Sequence, residues 1–87
     1  MSEITRQMTA DKLAAYLRHD LSRKDLVAWA ESAMMEGEFE REHFAEVRDV
    51  VARLGVADVR AFGLTWEDCE QILGRLGYAA RVNIVAT

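Results

Sequence analysis

The chain has no proline, one cysteine, five glycines and only 8% aromatic residues among its 87 positions. Proline breaks a helix interior by removing a backbone donor and clashing with the preceding turn, so its absence leaves long helical segments open to this chain. Cys69 has no second cysteine to bridge, which excludes the intrachain disulfide framework of a small secreted domain. No apolar run approaches the roughly 20 residues that span a bilayer. Met1-Ser2-Glu3-Ile4 opens without the basic and apolar regions of a secretion signal, so a cytoplasmic location with no membrane association is expected.

What is present fits a folded domain. The apolar share is 51% and the charged share 30%, the balance of a globular chain rather than a disordered one. A chain this short makes one domain, burying about 60–65% of its unfolded surface. The expectation is a single mainly α domain over residues 1–87, with 1–8 as a flexible lead.

The net charge of −4 is unevenly spread. Residues 1–24 carry five basic and three acidic groups, residues 25–49 two and eight, and residues 50–87 four of each. The three parts balance to +2, −6 and zero. Acidity is concentrated in the middle.

Capping signals and apolar spacing divide the chain into four helices and a short C-terminal strand. Thr9 is read as the N-cap of a helix from Ala10 to Arg18, with Leu13, Tyr16 and Leu17 on one face. Ser22 stands three residues before Asp25, a short-armed capping box that starts a helix from Arg23 to Glu36. Leu26, Ala30, Ala33 and Met34 form its stripe, and Gly37 its stop. A third helix is predicted from near Glu40 to Leu54, with Phe44, Val47, Val51 and Leu54 turned inward. Its early acids and late arginines, Arg48 and Arg53, suit the helix dipole.

Asp58 to Phe62 reads as a single helical turn before Gly63. Thr65 repeats the cap signature with Asp68 and starts a helix from Trp66 to Leu76, whose inner stripe is Cys69, Ile72, Leu73 and Leu76. Arg81-Val82-Asn83-Ile84-Val85 is β-branched and partly alternating, hence a strand. Such a strand needs an edge, either near Val56 to Val59 or across a homodimer. The expected core is Leu13, Leu17, Leu26, Ala30, Phe44, Val47, Val51, Leu54, Ile72, Leu73 and Leu76.

No catalytic or metal constellation emerges. His19, His43 and Cys69 lack the short spacing of structural zinc ligands. Glu67, Asp68 and Glu70 surround the cysteine and disfavour a thiolate, so it is expected to pack as a small hydrophobe. The alternating acids Glu36, Glu38, Glu40 and Glu42 do not make the Asp-rich twelve-residue calcium loop. The expectation is a non-enzymatic protein without a cofactor.

The most distinctive stretch runs from Met34 to Phe44. Met35 and Phe39 are not needed by the apolar stripes and are bracketed by Glu36, Glu38, Glu40 and Glu42. Adaptable apolar anchors among carboxylates suit a basic protein partner, the charges steering the encounter and the anchors holding it. The leading expectation is therefore a small acidic protein-binding module that covers and neutralises a basic partner.

A second reading rests on Leu13-Ala14-Ala15-Tyr16-Leu17 followed by Leu21-Ser22-Arg23-Lys24-Asp25-Leu26. These residues resemble a helix-turn-helix unit, which would place Arg18, Ser22, Arg23 and Lys24 against DNA. The segment departs from that pattern in having Arg18-His19-Asp20 where a glycine-containing turn is expected, and Asp25 would face phosphate. Nucleic acid is the less favoured partner.

Overall fold

The structure, a computed structural model, describes residues 3–58 and 63–79. In chain order these form β1 (Glu3–Ile4), α1 (Arg6–Leu17), α2 (Arg23–Glu36), β2 (Glu38–Phe39), α3 (Phe44–Leu54) and α4 (Trp66–Arg75). The fold is mainly helical. The expected C-terminal strand, and most of the turn expected over 58–62, lie outside the described residues.

Two helices start and stop where their local signals place them. Ser22 caps α2 by accepting from Asp25 N at 3.1 Å. Thr65 caps α4 with a complete capping box: its Oγ1 accepts from Asp68 N at 3.1 Å, and Asp68 Oδ2 accepts from Thr65 N at 3.0 Å. Past Leu76, Gly77 adopts φ 88, and Tyr78 N donates back to Leu73 O at 2.8 Å. That left-handed turn satisfies the last carbonyls and favours glycine.

The Thr65 backbone N–H, and then its side chain, hold the Asp68 carboxyl below its ordinary value. A depressed carboxyl contributes stability above its unfolded pKa of about 3.9 and loses it as pH falls through the folded value. The stability gap between wild type and Asp68→Asn is therefore expected to shrink below about pH 4. Urea midpoints across that range check it; a gap independent of pH would mean that the carboxylate's charge contributes nothing.

The other two helices differ from expectation at their starts. Thr9 is not an N-cap. It is fully buried inside α1, its hydroxyl donating to Thr5 O at 2.9 Å. Thr5 is the cap, accepting from Met8 N at 3.0 Å. Helix α3 begins at Phe44 rather than near Glu40, because the preceding residues serve another element.

That element is a parallel two-residue pairing, with Glu3 opposite Glu38 and Ile4 opposite Phe39. Ile4 is buried, so residues 3–8 supply a strand, a core side chain and the first helical turn. Glu40 N donates to Ile4 O at 3.0 Å, and Glu40 Oε1 accepts from Arg6 N at 3.2 Å, satisfying an amide at the start of α1. Gly37 stops α2 for a reason other than left-handed backbone. Its backbone is extended, but a Cβ there would lie 2.6 Å from Ala33 O and 2.7 Å from Ile4 Cγ1.

The core joins all four helices: Leu13 from α1, Leu26, Ala30 and Ala33 from α2, Val47, Val50, Val51 and Leu54 from α3, and Cys69, Ile72 and Leu73 from α4. Helices α2 and α3 pack against each other, and Ala30 and Ala33 add small residues to the buried side of α2, which lets a neighbouring helix lie close. Three expected core or stripe residues are more open. Phe44 is 48% exposed, Met34 is 42% exposed, and Leu17 is half-buried against the core edge. Phe44 stands at the first turn of α3, where its ring meets Phe39 edge to face at 6.0 Å.

Candidate functional site

The acidic middle of the sequence folds into a ledge where the end of α2 meets the β1–β2 pair. In a parallel register, opposed residues point to the same side. Ile4 and Phe39 turn inward, and Glu3 and Glu38, both exposed, stand side by side outward. Glu36 lies at the last position of α2, and Met35 before it is 83% exposed. Glu42 is exposed in the β2–α3 connection beside Arg41.

This arrangement opposes local stability twice over. Like charges directly opposite in a sheet repel. A carboxylate in the last helical turn faces the negative end of the dipole, an unfavourable interaction of about 0.3–1 kcal/mol. Helix α2 has no basic residue in its last turn to offset it.

The six residues singled out in the sequence separate into two kinds. Met35, Glu36, Glu38 and Glu42 are exposed. Phe39 and Glu40 are committed to the fold: Phe39 packs on the core and Glu40 holds the start of α1. Glu3 and the half-exposed Phe44 were missed. Glu3 joins the ledge only through strand register, which leaves no signature at a separation of 35 residues.

At the other end of α2, the helix-turn-helix-like residues surround a turn made without glycine. His19 takes φ 65, and Asp20 N donates to Ala15 O at 2.9 Å while His19 N donates to Tyr16 O at 3.1 Å. This is the C-terminal turn that glycine usually makes, held here by a histidine. Arg18, Ser22, Arg23 and Lys24 are all exposed, but Arg18 Nε is paired with Asp20 at 3.1 Å.

Beside this turn lies an open groove of about 450 Å³. Leu17, Leu21, Leu64 and Trp66 line it with apolar side chains, and His19, Ser22 and Arg23 with polar ones. The Tyr16 hydroxyl, also on the groove, donates to Leu64 O at 3.5 Å. Arg53 Nη2 donates to Gly63 O at 3.0 Å and lies 3.6 Å from Asp68, tying the segment before α4 to α3.

No family model, curated protein or solved structure matches this chain.

Among the described residues, no three His, Cys, Asp or Glu side chains gather as metal ligands, and no helix is long and apolar enough to cross a membrane. Burial pushes the Cys69 thiol up to about 11, and the charge of Asp68 adds to the rise. A buried thiol of that acidity supplies almost no thiolate near neutral pH.

For DNA, the free basic groups beside the turn are too few to release several counterions. Duplex binding at physiological salt is expected to be weaker than the roughly 10⁻⁴–10⁻⁶ M of non-specific binders. Fluorescence anisotropy on a mixed-sequence duplex measures it. Micromolar binding that weakens with salt, and that is lost in Arg23→Glu with Lys24→Glu, would put DNA recognition first.

Proposed function

We propose that this protein is a non-enzymatic binding module whose acidic ledge docks on a basic surface of another protein and covers it. The observation that carries the reading is the pairing of Glu3 with Glu38 just past the end of α2, where Met35 is the most exposed large apolar side chain among the described residues. A fold selected for stability alone gains nothing from abutting carboxylates, a helix-end glutamate and a solvated methionine in one place. Local rules broken together without a compensating gain point to function.

The ledge is also preorganised. Gly37 is packed against Ile4, β1 holds β2, and Glu40 is tied to Arg6 N. Docking such a surface orders little backbone, which removes part of the entropic penalty of association. Glu3, Glu36, Glu38 and Glu42 would steer the encounter, and Met35 would seat in an apolar pocket of the partner with Phe44 at the periphery. A toxin, nuclease or regulator with a basic working surface is the class of partner that this chemistry neutralises.

The test is capture from the native host by the full chain, compared with a variant carrying Glu36→Lys, Glu38→Lys and Met35→Ala. A basic protein enriched by the wild type and lost with the variant is expected. Equal capture by both would reduce the ledge to a solvated surface.

A further inference from the structure

We infer that the groove beside the α1–α2 turn is a receptor for the Met35 end of α2 in a second copy of this chain. The inference rests on reading Met35 and its carboxylates as a docking surface, and gives that surface a complementary site on the protein itself.

The two ends of α2 are chemical opposites. At its start, the groove offers the apolar side chains of Leu17, Leu21, Leu64 and Trp66 with the guanidinium of Arg23 and the imidazole of His19. No carboxylate is among the described residues that line it. At its end stands the exposed Met35, followed in the chain by Glu36 and by Glu38 of the Glu3–Glu38 pair. A flexible, polarizable side chain fits an irregular apolar groove and packs well against an indole ring. The carboxylates beside it would meet Arg23. The helix ends match too, since the positive end of one α2 dipole would face the negative end of the other.

Geometry requires the second copy. Arg23 and Met35 belong to one continuous helix, and at 1.5 Å per residue they stand roughly 18 Å apart. No rotation of side chains brings Met35 into the groove of its own chain.

Two copies can make both contacts at once with their α2 helices antiparallel, closing a two-fold dimer, or one contact at a time in a head-to-tail chain. The groove is small, so association is weak and weakens further with salt.

The experiment is sedimentation of the full chain from about 10 μM to about 1 mM, the range of a weak complex. The weight-average mass of the wild type is expected to rise to that of a dimer or beyond. Met35→Asp removes the anchor, and Arg23→Glu reverses the charge at the groove; each is expected to weaken association at least about tenfold. Trp66→Ala, a second change in the groove, should do the same.

The decisive sample is an equimolar mixture of Met35→Asp and Arg23→Glu. One has only a working groove and the other only a working methionine end, so they should form a dimer and nothing larger. A wild type that stays monomeric, or a mixture that does not associate, would each overturn the proposal. Arg23→Glu and Trp66→Ala leave the acidic ledge intact and should still capture a basic partner, so failure here is distinguishable from failure of the ledge itself.

Discussion

Replacing Leu54 with alanine is expected to lower the unfolding free energy by about 2–5 kcal/mol. Leu54 is fully buried at the end of α3, on the same face as Val47, Val50 and Val51. It lies on the side of α3 that meets α2, where an added Cβ on the neighbouring Gly55 would stand in ordinary contact, 3.9 Å from the Ala30 methyl. Lost transfer energy and any cavity left behind add together. A domain of this size has a total stability of about 5–15 kcal/mol, and each kcal/mol moves its melting temperature by about 4–8 °C. Urea unfolding should show a lower midpoint with an unchanged slope. Met35→Ala is the matched control, expected within about 0.5 kcal/mol of wild type because the side chain is 83% exposed. A Leu54→Ala shift as small as that control would remove the α2–α3 seam as the centre of the core.

The other large effect concerns the partner of the acidic ledge. Reversing Glu36, Glu38 and Glu42 to lysine is expected to slow association about tenfold or more and to flatten its salt dependence, because the charges act on diffusional encounter. Met35→Ala should instead raise the dissociation rate, by about tenfold if the side chain fills a desolvated pocket. Glu40 and Phe39 behave differently. Glu40→Gln weakens a hydrogen bond at the start of α1, and Phe39→Ala removes packing from the core edge. Both should appear in melting curves, the first at about 1 kcal/mol, with little change in the association rate. Surface plasmon resonance on the captured partner separates the cases. If Glu40→Gln slowed binding as strongly as the lysine reversals, the division of this segment into fold and site would be wrong.

That division shows where sequence reasoning stops. Met35, Glu36 and Glu38 could be recognised because the α2 stripe excludes them, and exclusion from an apolar face is a local property. Phe39 and Glu40 have the same residue types and the same neighbourhood, yet the fold uses both. What separates them is the side of the β1–β2 pair on which Phe39 falls and the bond from Arg6 N to Glu40, contacts with no local signature. The groove was equally hidden. Leu64 and Trp66 reach Leu17 and Leu21 only because Arg53 ties Gly63 to α3 and α4 packs against α1.

Helix α4 and the start of α2 were determined by the sequence alone: a hydroxyl and a carboxylate three residues apart at each start, apolar spacing of three and four along each length, and a glycine beyond the end of α4. Those signals act within one or two turns and need no partner. The starts of α1 and α3, the burial of Thr9 and the exposure of Phe44 were decided by the tertiary structure. The physical reason is the β1–β2 pair. Each strand has two residues, too few for any alternation, and neither persists unless the other is brought beside it by the packing of the helices between them. Once formed, the pair takes Glu38 to Glu40 away from the helical pattern, closes α2 on a glycine packed against Ile4, and sets Glu3 next to Glu38.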